Sequence, residues 1–116
     1  MLLLAAAAAA HHSTAQYDLV HGTIIGGVVV KFEWTNPHAQ IWLDVTGEQN
    51  EMEHWRVEME SPRILGRLGW TRDTLKPGDR ISITGGRAKD GSFHLRAASV
   101  QLADGRKLAA LPEPEN

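Results

Sequence analysis

Apolar and polar residues alternate through most of the chain, and the alternation breaks into runs of strand length. In "VVVKFEWT", Val28, Val30, Phe32 and Trp34 fall on one side, and Lys31, Glu33 and Thr35 on the other. A strand turns successive side chains to opposite faces, so this spacing predicts a half-buried strand with the first set inward. Gly26 and Gly27 interrupt the run and are expected to let a long strand bend. Asn36 precedes Pro37 and is pushed out of the helical region, so the chain turns there. The next run sets Ala39, Ile41, Leu43 and Val45 against His38, Gln40, Trp42 and Asp44. A third, "EMEHWRVEME", sets Trp55, Val57 and Met59 against His54, Arg56, Glu58 and Glu60.

The period then changes. "SPRILGRLG" places Ser61 where a helix N-cap belongs and Pro62 at the first helical position. Ile64, Leu65 and Leu68 form an apolar stripe and Gly69 is the stop, which together predict a two-turn helix. Pro77 and Gly78 suit a type II turn before a fourth strand with Ile81 and Ile83 inward. Asp90 and Gly91 make the next turn, "FHLRAASVQL" is the fifth strand, and "ADGRKL" allows a short return strand. Three strands, a short helix and two strands is the element order of the OB-fold. The predicted class is therefore all-β with one short helix, a small five-stranded Greek-key barrel. Another small antiparallel barrel is the rival, since element order alone does not settle strand pairing.

Length and composition fit one such domain, expected over residues 11–111 with a disordered tail at 112–116. The chain has 116 residues, 42% of them hydrophobic, and a formal net charge of -2. No run of Lys and Arg offers a grip on phosphates, so no nucleic-acid partner is expected. The absence of Cys excludes disulfides, thiolate metal sites and cysteine nucleophiles. Residues 1–10 are apolar and end in Ala8 and Ala10, the A-x-A relation that signal peptidase reads, which puts cleavage before His11. An Ala-rich N-terminal helix is the plainer explanation, but the stretch offers no amphipathic face for packing. The leader is short and lacks Lys and Arg. With it removed, no segment is long enough to span a membrane.

"HHSTAQYD" after the apolar leader, "FEWTNPHAQIWLDV", "WRVEMESPRILGRLGWTRDTLKPGD", "AKDGS" and "DGRKL" resemble a family of small exported bacterial proteins of unknown function. The resemblance covers nearly everything from His11 to Leu108. It implies a periplasmic location and a mature chain that starts at His11; it implies no activity.

A histidine at a free N-terminus can chelate one ion through its amine and its own imidazole in a six-membered ring. The amine and imidazole have ordinary pKa values of about 8 and 6.5, so a metal displaces their protons readily near neutrality. Nitrogen ligands in a planar set favour Cu(II). Copper is therefore the expected cofactor, with His11 as chelator. His12 offers a competing mode through the amine, the intervening amide and its imidazole. His38, held at a barrel rim by the Asn36 and Pro37 corner, is the expected third ligand. His54 and Glu58 share its outward face if the second and third strands pair. Satisfying turn hydrogen bonds is the plainer role for His38 and Asn36.

The other candidates point to binding rather than catalysis. OB-like barrels bind through strands two and three, and here that surface carries Trp42, His54, Arg56 and Glu58. A protein or glycan partner in the cell envelope is the alternative to copper. His21 and His94 lack partners at ligand spacing, and Trp34 and Trp55 are expected in the core. The carboxylates Glu33, Asp44, Glu58 and Glu60 fit alternating charge on a solvent face better than a glycosidase pair. Arg63, Arg67, Arg72 and Lys76 fit a solvated helix face. No nucleophile, base and orienting group occur together, so the chain is expected not to be an enzyme.

Overall fold

The β-branched run after Tyr17 forms one continuous strand long enough to serve two neighbours. The computed structural model describes residues 15–114. Its elements are β1 (Tyr17–Glu33), β2 (Gln40–Thr46), β3 (Met52–Glu58), a helix α1 (Pro62–Arg67), β4 (Arg80–Ala88), β5 (His94–Gln101) and β6 (Lys107–Ala109). The C-terminal part of β1 pairs with β2, from Val28↔Asp44 to Glu33↔Gln40. Its N-terminal part pairs with β4, from Tyr17↔Ala88 to Val28↔Arg80. The sheet order is β3-β2-β1-β4-β5-β6, and a parallel contact between β3 and β5 closes it. Five strands thus form the expected OB-like barrel, and the return strand β6 adds a sixth along β5. Closure pairs the two edges that an open sheet would expose.

The interior is filled as the alternation predicts in β2, β3 and β4. Ala39, Ile41, Leu43, Val45, Trp55, Val57, Met59, Ile81 and Ile83 are all buried in one cluster. Ser61 caps α1 by accepting from the Ile64 amide at 3.3 Å, Pro62 starts it, and Gly69 follows it at φ 98°. The helix carries Leu65 into the core. Trp70 is buried and donates its indole N–H to the Ala109 carbonyl at 2.9 Å, which ties the segment after the helix to β6.

β1 corrects one expectation. Val29 and Ile25 are buried, whereas Val30 is 49% exposed and Val28 only half-buried. The register with β2 slips between Val29 and Lys31, leaving Val30 as an extra residue. Such a bulge reverses the inward parity of the strand. Phe32 and Trp34 downstream of it do pack against the core, as expected. Gly27 allows the tight crossing just upstream, because a Cβ there would collide with the Asp44 carbonyl.

Candidate functional site

The segment between β1 and β2 delivers His38 to the end of β3. The Asn36–Pro37 peptide is cis, and beyond it His38 Nδ1 lies 2.9 Å from the Met59 carbonyl oxygen. A carbonyl only accepts, so Nδ1 carries the proton and donates. The lone pair is then on Nε2, which has no protein partner among the described residues. Metal-ligating histidines are commonly oriented in this way, with the other ring N–H bonded to a carbonyl.

Arg96 fixes that carbonyl from behind. It lies on β5 between Leu95 and Ala97, both core residues, so its side chain leaves the barrel on the opposite face. It is nevertheless buried, at 4% exposure. Its guanidinium donates to Glu58 Oε2 at 3.2 Å, Glu60 Oε1 at 2.7 Å and the Met59 carbonyl at 3.3 Å. Three consecutive residues thus meet one planar fork, a geometry that a lysine point charge would not match. Arg96 Nη1 also comes within 3.5 Å of His38 Nδ1. Both are donors, and they converge on the two lone pairs of the same oxygen.

The start of β1 covers this cluster. Gly86 is the cross-strand partner of Arg96, and a Cβ on Gly86 would press on the Asp18 carbonyl. Tyr17 is buried here. Burial pushes its phenol above the ordinary range, Glu58 adds to the rise, and Arg56 and Arg96 oppose it. Asp18 braces the irregular start of the strand by accepting from the amides of Val20 and His21 and pairing with the His21 ring at 3.0 Å. Those bonds from His21 hold the Asp18 carboxyl below its usual pKa.

The remaining sequence candidates divide between this cluster and the outer face of β1, β2 and β3. Glu58 joins His38 through Arg96. His54 does not, because it stands opposite Asp44, bonded to it at 2.6 Å. Glu58 lies four positions further along β3, roughly 13 Å away at the rise of a strand. Trp42 and Arg56 are cross-strand partners. Lys31 sits over the Trp42 ring, 5.3 Å from its centre, and pairs with Glu33 at 2.7 Å. Each carboxylate considered for catalysis therefore has a nitrogen partner: Glu33 has Lys31, Asp44 has the His54 ring, and Glu58 and Glu60 share Arg96. Arg63, Arg67, Arg72 and Lys76 are exposed.

His11 and His12 lie outside the described residues. Among the described residues, no three metal-ligating side chains are grouped to hold an ion. No helix among them is long and apolar enough to cross a membrane. Arg96 is the residue that sequence reasoning missed. The one available signal was Glu58 and Glu60 projecting from the same face of a strand, a pair that calls for a shared cation without saying where it comes from.

A family model described as a family of unknown function (DUF6152) matches residues 1–96. No curated protein matches the chain. Solved structures do, and one is the mitochondrial single-stranded DNA-binding protein Rim1 of S. cerevisiae. It superposes with a TM-score of 0.54 at 9% identity, over 72% of this chain and 93% of that one. At that identity the likeness is one of fold, and it agrees with the OB-like barrel.

Proposed function

We propose that this chain, which belongs to the family of unknown function DUF6152, is an exported periplasmic protein that binds copper through a mature N-terminal His11. The observation that carries the reading is that His38 and the start of β1 meet on one cluster around Arg96. Tyr17 lies six positions beyond His11, a reach of roughly 20 Å when extended. That is long enough for an N-terminal chelate to return to His38. The His11 amine and imidazole would supply two nitrogens, and His38 Nε2 a third from a ring already held by Met59. His12 competes through the amide between the two histidines. Nitrogen ligands of this kind favour Cu(II) over the other divalent first-row ions.

The test is a Cu(II) titration of protein purified with its processed N-terminus, followed by electron paramagnetic resonance. Binding should weaken by at least about tenfold on His11→Ala and on acetylation of the amine, and the nitrogen hyperfine pattern should change on His38→Ala. Unchanged affinity after both N-terminal alterations would remove the reading. Mass spectrometry of the exported protein checks the start at His11.

A second reading rests on Trp42, whose half-buried ring lies between Lys31 and Arg56. Such a face suits an envelope protein or glycan carrying anionic groups, with His54 and Glu58 at its margins. It requires that Trp42→Ala abolish binding of that partner whether or not metal is present.

A further inference from the structure

Among the described residues, β1 is bonded on both sides only at Val28 and Val29. Residues 22–27 pair with β4, and pairing with β2 begins at Val28↔Asp44. Val29 donates its amide to the Asp79 carbonyl at 2.8 Å, on the β4 side. Strand backbone groups alternate sides, so the amides and carbonyls of Ile24 and Gly26 point to the side from which β2 has turned away. An edge of this kind is a template for another strand.

The surroundings of the edge differ from the rest of the surface. Of the six exposed large hydrophobic residues among the described ones, Leu19, Val20 and Ile24 lie on this part of β1, at 52%, 86% and 71% exposure. Met52, at 56%, lines a cleft with Gly26. Two open clefts, of about 910 and 600 Å³, share Gly26 and Thr46 in their walls. Gly26 has no steric reason to be glycine: a Cβ would meet only the Ile81 carbonyl, at 3.8 Å.

Charge decides the occupant. The smaller cleft carries Glu48, Glu51 and Glu53 against Arg87. That guanidinium is already occupied with the carbonyls of Gly91 and Ser92 and stacks over Trp55, 5.0 Å from the ring centre. A second copy paired edge to edge would bring the same carboxylates towards one another. We propose that the β1 edge at Ile24 and Gly26 receives an extended polypeptide segment bearing Lys or Arg, which adds as a strand and faces its cations to Glu48, Glu51 and Glu53. The amides and carbonyls give the pairing, and Ile24 and Met52 cover the apolar side chains of the added strand.

The probe is a synthetic decapeptide of alternating Lys and Val, with alternating Glu and Val as the control. Amide exchange followed by NMR should show slowed exchange at Ile24 and Gly26 with the first peptide and no change with the second. Glu48→Gln and Glu51→Gln should each weaken binding about two- to fivefold, the size expected of partly exposed ion pairs. Ile24→Pro removes a donor from the edge and none from the β4 ladder, so it should abolish binding with the melting curve intact. Should that variant fail to fold, a Lys and Val peptide N-methylated on alternate residues serves in its place and should not bind. Absence of binding, equal binding of the Glu peptide, or binding without slowed exchange would overturn the proposal. Exchange that slows with protein concentration alone would overturn it in favour of a second copy.

Discussion

Gly85 lies against the main-chain carbonyl of Arg96 so closely that a methyl group there would occupy the same space. The contact falls where the register between β4 and β5 slips, between Thr84 and Gly85. Gly85→Ala should therefore force the two strands apart and cost about 1–3 kcal/mol, read as a lower urea midpoint at unchanged slope. Gly26→Ala is the matched control. Only the Ile81 carbonyl is near it, so stability should hold or rise by up to about 1 kcal/mol as the unfolded chain loses freedom.

Arg96 is the only ion-pair partner of Glu58 and Glu60 among the described residues, and its removal leaves two carboxylates facing each other. The side chains are 5%, 22% and 19% exposed for Arg96, Glu58 and Glu60. Water reaches the carboxylates, so Arg96→Met should cost about 2–4 kcal/mol, less than for a fully enclosed pair. Combining it with Glu60→Gln should recover about 1 kcal/mol, a non-additivity that only direct coupling produces. The same variant frees the Met59 carbonyl to move. Nitrogen-15 NMR of neutral His38 should show the Nδ1–H tautomer in the parent protein and a mixture in Arg96→Met.

Tyr17 contributes to stability on the alkaline side. Its phenol titrates above its ordinary value because burial, and then Glu58, disfavour the anion. The folded state therefore holds its proton longer than the unfolded one. Stability from this group is full below roughly pH 10 and falls as pH rises through the raised folded value. Tyr17→Phe should flatten that fall in denaturation midpoints taken between about pH 9 and 11.5. The acid side has the opposite sign. Asp18, Asp90 and Asp104 are all held low, Asp18 and Asp104 first by backbone hydrogen bonds and Asp90 first by the Ser92 hydroxyl. What they contribute is present above roughly pH 4 and lost as pH falls below it.

Much of the barrel was legible because its signals are local. The inward sets of β2 and β3 follow an unbroken period of two, and Ser61, Pro62 and Gly69 bracket α1 by their backbone preferences alone. The site was legible only in part. Periodicity told which face His38, His54 and Glu58 share, but not how far apart they lie along it. Arg96 and Tyr17 stayed hidden because their places depend on the parallel closure of β3 on β5 and on the path of β1 over Gly86. Both are contacts between distant segments, and no local pattern announces them.

Val30 shows how one such contact misleads a pattern. The alternation of Val28, Val30, Phe32 and Trp34 is perfect on paper, yet β1 spends Val30 as the unpaired residue of a bulge and buries Val29 instead, at 1% exposure. A run of three valines offers no contrast between adjacent positions, so its parity is set by the partner strand rather than by its own residues. The two substitutions should therefore behave unlike their neighbours' identity implies. Val29→Ala removes two methyl groups from the core and should cost about 2 kcal/mol. Val30→Thr should change stability by less than about 0.5 kcal/mol, because that side chain already faces water. Equal losses for the two in chemical denaturation would restore the uninterrupted register and place Val30 inside.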